Sequence, residues 1–404
     1  MGRALTFISI FVAFFPGSFL ESQNFNRDHL LWQSLAAKRA NNAITYIGDD
    51  ACRSCHQEKV ETFHETAHHL TSRLPSKTSI AGSFSPGSNT LPTANPNLLF
   101  KMEATEQGFF QSAVVGRPPN LTTHSEPFGV VIGSGRKGQT YLYWKEQQLF
   151  QLPVSYWTEL NEWVNSPGYQ DGTADFNRRV PPRCLECHAS YFHSLAPPVN
   201  RYSKTDFVLG IACERCHGPA AGHVTRSRQS SPASGETIIN PAKLPRDRQL
   251  DLCALCHAGP GEPALAPAFS FVVGNRVDDY LQLEPIDPDA PLDVHGNQVG
   301  LLKKSRCFQE SNSMTCSTCH DVHKPQRDLA AMSDRCLSCH KADSCGMRAK
   351  MGRQILGKCV DCHMPNQPTQ QIISTVTGRK VQPKVRNHWI KVYAEIPTKK
   401  EERP

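Results

Sequence analysis

The 404-residue chain has no apolar stretch long enough to cross a bilayer as a helix. Its best candidate, Ala4 to Phe15, falls well short of the roughly 20 residues a spanning helix needs. Two other signatures are incomplete. The loop Gly133-Ser134-Gly135-Arg136-Lys137-Gly138 lacks the Gly-Lys-Ser/Thr ending of a phosphate loop, so it reads as a hairpin connection. Asp171, Thr173 and Asp175 alternate as calcium ligands do, but no glutamate closes the set, and a structured turn is the plainer reading. Charge is modest too, at 20% of residues with a formal net of +7. Taken alone, that sign would suggest an anionic partner such as nucleic acid or a membrane surface.

What the chain does have is one five-residue word, Cys-x-x-Cys-His, written seven times. Its cysteines are Cys52 and Cys55, Cys184 and Cys187, Cys213 and Cys216, Cys253 and Cys256, Cys316 and Cys319, Cys336 and Cys339, and Cys359 and Cys362. The closing histidines are His56, His188, His217, His257, His320, His340 and His363. Paired cysteines also occur in zinc sites and redox dithiols. Neither chemistry requires a histidine after every pair, and only 17 residues of this chain are histidine. The word is that of c-type haem attachment, in which both thiols bond the macrocycle and the histidine ligates the iron. Seven covalently attached haems c are expected. Their propionates also remove the case for a nucleic-acid partner: fourteen of them take the formal +7 to −7 with ferrous iron and to about zero with ferric iron.

Organisation follows from that cofactor load. Met1-Gly2-Arg3, the short apolar run and Pro16-Gly17-Ser18 read as a signal peptide over 1–22. No transmembrane segment is expected in the mature chain, and the location is periplasmic or otherwise exported, where c-type attachment takes place. Residues 23–94 form a segment carrying the first haem site, and 161–404 a domain carrying sites two to seven. Between them, 95–160 shows period-two alternation. Hairpins turn at Glu106-Gln107-Gly108 and at Lys145–Gln148. The expected fold is mainly α and loop-rich, organised around stacked haems, with a small antiparallel β insertion. Without haem, no core of normal size is expected. A helix is predicted over Gln57–Leu70, and another over Asp247–His257. The two cysteines outside the words, Cys307 and Cys345, are expected to form a disulfide in an oxidising compartment.

Ten histidines lie outside the words: His29, His64, His68, His69, His124, His193, His223, His295, His323 and His388. His323 stands three residues after His320. Three steps reach at most about 11 Å, too little to round a porphyrin rim and meet the same iron from behind, so it serves another iron or none. His68, about 18 Å from His56 if the helix runs straight, would likewise serve a different iron.

Cys52–His68 (CRSCH…FHETAH), Cys213–His223 (CERCHGPAAGH), Cys316–His323 (CSTCHDVH) and Val360–Ile390 (VDCHMP…NHWI) resemble the exported multihaem c-type cytochrome family. That family is related to the tetrahaem electron acceptor of hydroxylamine oxidoreductase. The resemblance implies that His68, His223, His323 and His388 ligate neighbouring haems, with His295 a weaker candidate. Seven words match neither the four of the small cytochrome nor the eight of the oxidoreductase, and no Cys-x-x-Cys-Lys word is present.

Two functions stay open. In the first, bis-His haems carry electrons between redox partner proteins. In the second, one five-coordinate haem acts on a small inorganic nitrogen or sulfur oxo-compound, with Arg136, Lys137, His124 and Tyr143 as candidate pocket residues. Ten spare histidines for seven irons favour the first, and loop residues of the same composition are commonly structural.

Overall fold

Past the first haem word the chain turns from helix to strand, and strand occupies much more of it than one small insertion. The computed structural model describes residues 46–393, except 198, 230–237, 260, 284 and 286–290. The expected leader, His29 and the charged C-terminal tail lie outside the described residues.

Ten strands run from Ser72 to Asn165: β1 Ser72–Arg73, β2 Thr90–Pro92, β3 Leu98–Thr105, β4 Gly108–Arg117, β5 Asn120–Pro127, β6 Val130–Ile132, β7 Gly138–Lys145, β8 Gln148–Gln151, β9 Val154–Trp157 and β10 Glu162–Asn165. They form two sheets with antiparallel pairing. The first has the order β2-β3-β4-β5; the second has β1-β6-β7-β9-β10, with β8 added to β7. Both predicted hairpins are present. β3 and β4 pair from Leu98↔Val115 to Thr105↔Gly108, and β7 and β8 pair down to Lys145↔Gln148. The Gly133–Gly138 loop joins β6 to β7, as a connection should.

Alternation sets the inside of this unit. In β3, Leu98, Phe100 and Met102 are buried while Leu99 is exposed and Lys101 and Glu103 are half-buried. They pack with Phe128, Tyr141, Tyr143, Trp157, Trp163 and Phe176 in one hydrophobic core. Gln111 ties the sheets together. Its Nε2 donates to Val154 O at 3.1 Å, and its Oε1 accepts from Val154 N at 2.8 Å, so a buried amide is satisfied on both sides. A second core joins Val130, Ile132, Leu142 and Leu149 to Leu185, which lies inside the second haem word, and to Phe192, Tyr202 and Phe269. The second sheet is thereby the platform on which that word is seated.

The expectation of a mainly α fold is corrected: the chain is 29% helix and 25% strand, with several antiparallel sheets. Further hairpins follow the words, at Ala189–Ser194 with Tyr202–Leu209 and at Ser374–Val376 with Arg379–Val381. The physical reason is local. A haem word needs a single helical turn to bring its thiols and histidine together, and words three and seven occupy five-residue helices, Cys213–His217 and Cys359–His363. Residues rich in Pro and Gly follow and do not propagate them. The β sheets meanwhile hold a hydrophobic core of their own, contrary to the expectation of no core of normal size without haem.

The helix predicted over Gln57–Leu70 is also revised. Helix Asp50–His64 breaks at His56, where φ is −124° and ψ 39°, and His64 returns to within 3.1 Å of Asp49. A straight helix of that length would hold them about 22 Å apart. It ends at His64, where Thr66 donates its hydroxyl to Phe63 O at 2.6 Å. Helix Arg246–His257 is close to its predicted bounds. Among the described residues no helix is long and apolar enough to cross a membrane.

Gly210 shows how tightly the words are joined. Its φ is +65°, and a Cβ there would stand 2.1 Å from His69 O, while its N–H donates to Ser72 Oγ at 2.8 Å. Gly210→Ala is predicted to cost about 3 kcal/mol or more, read as a lower denaturant midpoint; a midpoint unchanged within error would contradict this packing.

Candidate functional site

The x-x residues of the words tie the words to one another. Glu214, inside word three, is buried; its Oε2 accepts from Ile47 N at 2.9 Å and Gly48 N at 3.0 Å, and its Oε1 from Ala220 N at 2.9 Å. In return Asp49 Oδ1 accepts from Cys213 N at 2.9 Å, which clasps the entry to word one against word three. Glu186, inside word two, is held by Arg183 at 2.9 Å, by Arg215 of word three at 3.5 Å, and by Phe269 N at 2.7 Å. Arg215 also lies over the Phe269 ring, 5.5 Å from its centroid. Thiols meet as well: Cys187 with Cys256, Cys253 with Cys316, and Cys52 with Cys213. Words two and four, four and five, and one and three are therefore neighbours.

The histidines form cross-chain ring pairs. His68 faces His257 with centroids 6.1 Å apart, His323 faces His217 at 6.0 Å, and His388 faces His320 at 6.3 Å. In each pair one ring closes a haem word and the other comes from outside the words. An iron held between two imidazoles sets just this spacing, from two bonds of about 2 Å and about 1 Å more from each nitrogen to its ring centre. His295 neighbours His188 closely enough to oppose its protonation.

The other ring nitrogen is already engaged in most of these residues. The Nδ1–H groups of His217, His257, His320, His363 and His388 donate to Ile239 O at 2.8 Å, Gln298 Oε1 at 3.0 Å, Gln326 Oε1 at 3.2 Å, Lys391 O at 2.8 Å and Arg386 O at 3.1 Å. His188 Nδ1 shares a hydrogen bond with Thr71 Oγ1 at 3.0 Å. Such bonds fix the tautomer and turn Nε2 toward a metal. Desolvation by surrounding protein, reinforced by neighbouring histidines, pushes His68, His188 and His388 down to about 4, although His68 keeps an exposed face and the other two are half-buried. Desolvation also lowers His257, His295 and His323. All six are thereby kept in the neutral, metal-binding form. The donor set fits haem iron.

Other candidates are placed differently. His56 and His340 are exposed. His223 is half-buried on helix Ala221–Arg228. His193 pairs with Asp206 at 2.8 Å and His124 with Glu126 at 3.1 Å, both on the surface. Among the proposed pocket residues, Lys137 is paired with Glu159, and the Tyr143 hydroxyl donates to Phe176 O at 2.6 Å. His124 and Tyr143 line one small cleft on the sheets, which neither Arg136 nor Lys137 joins. Asp171 accepts from Ala94 N and Gly378 N, the work of a structural turn. The disulfide expectation is not met. Cys307 and Cys345 are both free; Cys307 neighbours Cys319 and Cys339, whereas Cys345 neighbours Cys362. The interlocking acids and arginines inside the words were not anticipated, although Glu186, Glu214 and Arg215 stand in plain view at x-x positions.

Residues 140–218, carrying β7 to the third haem word, match the family model described as cytochrome c554 and c-prime. Over that segment the chain is similar to c-type cytochromes. A solved structure of the outer cell wall cytochrome OcwA has a similar fold, with TM-score 0.51 and 16% identity over 86% of this chain and 79% of that one. The chain is also similar to an undecahaem cytochrome from the S-layer of Carboxydothermus ferrireducens, at 15% identity over 86% of this chain and 52% of that one; with a TM-score of 0.38 the likeness is too slight to argue from. A curated relative from Leishmania major, described as a structure-specific endonuclease subunit SLX1 homolog, is 27% identical over 260 residues, 57% of this chain. The chain spans 36% of that relative's length.

The Glu186 cluster yields a test. Glu186→Ala leaves the buried Arg215 guanidinium without its carboxylate and should cost about 3–5 kcal/mol, seen as a lower melting midpoint of the haem-loaded protein. A melting curve matching the wild type would show that the cluster does not hold words two, three and four together.

Proposed function

We propose that this chain is an exported seven-haem electron-transfer protein in which most irons take a histidine on each face. The observation that carries the reading is the set of ring pairs at 6.0 to 6.3 Å. On it, His68 completes the iron of His257, His323 that of His217 and His388 that of His320, with His295 the partner of His188. All four ligands come from segments remote from the word they complete, so the chain cannot separate without breaking metal bonds. Axial positions filled on both sides leave an iron no place for substrate but let it pass electrons, and the words whose thiols touch bring their haems within short range of each other. Words one and six, whose His56 and His340 are exposed, are where redox partners would dock.

Export is supported by the short positive and apolar N-terminus and by the site of c-type attachment, and it accords with the fold shared with an outer cell wall cytochrome. For substrate chemistry on an open iron, the hydroxyl and ammonium groups of Tyr143 and Lys137 are already committed to other partners.

Spectra of the oxidised protein test the reading. EPR is predicted to show low-spin haem throughout, unchanged by nitrite, hydroxylamine or sulfite; a high-spin signal that shifts on adding one of them would falsify the electron-transfer assignment. His323→Ala is predicted to turn one haem per chain high-spin with the covalent haem content unchanged. Acid gives a further check. Because His68, His188 and His388 have depressed values of about 4, protonation does not compete for them near 6.5. The low-spin spectrum should therefore persist as pH falls from 7 to about 4 and fail only below. Loss of it close to pH 6.5 would show that these rings are not held as ligands.

A further inference from the structure

A second cluster of ligand-type side chains, separate from the ring pairs, stands where word one meets word three. Asp49 Oδ2 lies 3.1 Å from His64 Nε2 and 3.4 Å from His69 Nδ1. The three ligand atoms are all within 4.8 Å of one another. The two imidazoles stack with centroids 3.9 Å apart and planes at 16°. The break at His56 makes the cluster possible, since it folds the end of the helix back over its own start. Gly210, whose missing Cβ admits His69 O, holds the other side.

Three features go beyond ordinary surface pairing. Asp49 is only 9% exposed at its side chain. Burial works against its charge, yet His69, the Cys213 N–H and His64 keep it ionised, well below the usual carboxylate range. His69 Nδ1 is fully buried and makes no hydrogen bond of good geometry, only a long 3.4 Å contact to the Asp49 carboxylate, an under-satisfied polar atom of the kind that asks for an explanation. Asp49 Oδ1 is fixed by the Cys213 N–H, the outer-shell bond that orients a ligating carboxylate. One carboxylate oxygen thus faces two ring nitrogens, and a cation among the three would satisfy all of them at once.

We propose that Asp49, His64 and His69 bind one non-haem divalent cation of the zinc class. Two imidazoles and a carboxylate are a donor set for a borderline ion rather than for magnesium or calcium. Three protein ligands leave room for water, and the half-exposed edges of His64 and His69, each with 27% of its side chain accessible, admit it. The ion would staple the start of word one to the end of its helix, next to word three.

Zinc itself is the probe. The haem-loaded protein, stripped with chelator and dialysed against micromolar zinc, is expected to retain one zinc per chain by elemental analysis. His64→Gln and His69→Gln should each weaken that binding at least tenfold, with the low-spin EPR of every haem unchanged. Two results would overturn the proposal. One is zinc retention no different between the wild type and the double variant. The other is a high-spin haem in either single variant, which would make that histidine an iron ligand instead.

Discussion

Everything in this structure depends on imidazoles meeting across the chain. On the ligation proposed above, a haem word would supply one face of an iron and a ring delivered from elsewhere would close the other. The spacing of His68 and His257, of His323 and His217 and of His388 and His320 is alike to within a few tenths of an ångström. Backbone geometry around them serves that spacing. The helix breaks at His56, Gly210 lets His69 O approach, and Nδ1 hydrogen bonds hold the rings in one tautomer. Desolvation lowers the values of His68, His257, His323 and His388 and favours their neutral form, which a metal ligand must be in.

Two stabilising devices divide the chain between them. From Ser72 to Asn165 the strands bury aromatic and β-branched residues in the way any sheet pair does, with Gln111 and Tyr143 satisfying their polar atoms inside. Beyond word two, helices are short and connections long, and the buried groups include charges. Glu186, Glu214 and Arg215 sit within the words themselves, so the positions that the attachment chemistry leaves free are used to lock neighbouring words. The second sheet joins the two regimes, because its outer face packs on Leu185.

Local patterns were legible in the sequence, and long-range ones were not. The turns at Glu106-Gln107 and Glu146-Gln147 follow from alternation over a few residues, and they stand where alternation puts them. The overall class was misjudged because a helical word looks like the seed of a long helix, whereas attachment needs a single turn and the Pro- and Gly-rich sequence after it supports no more. The helix after word one was drawn straight because nothing in Gln57–Leu70 marks the break, which lies at the last residue of the preceding word. For His323, chain reach alone excludes its own haem; that its ring faces His217 required the fold. The pairing of Cys307 with Cys345 was argued from compartment and number, and number says nothing about distance. The acceptors of the Nδ1 bonds, such as Ile239 O and Lys391 O, are backbone atoms and carry no sequence signature at all.

The account stands on the seven words all being loaded, because every ring pair presumes an iron between its members. The most direct measurement is the covalent haem content of the purified chain, by pyridine haemochrome against protein concentration and by intact mass under denaturing conditions. Seven haems on one chain, held through fourteen cysteines with Cys307 and Cys345 still titrating as thiols, is the predicted result. Fewer than seven, or cysteine pairs recovered as free thiols or zinc complexes, would contradict it.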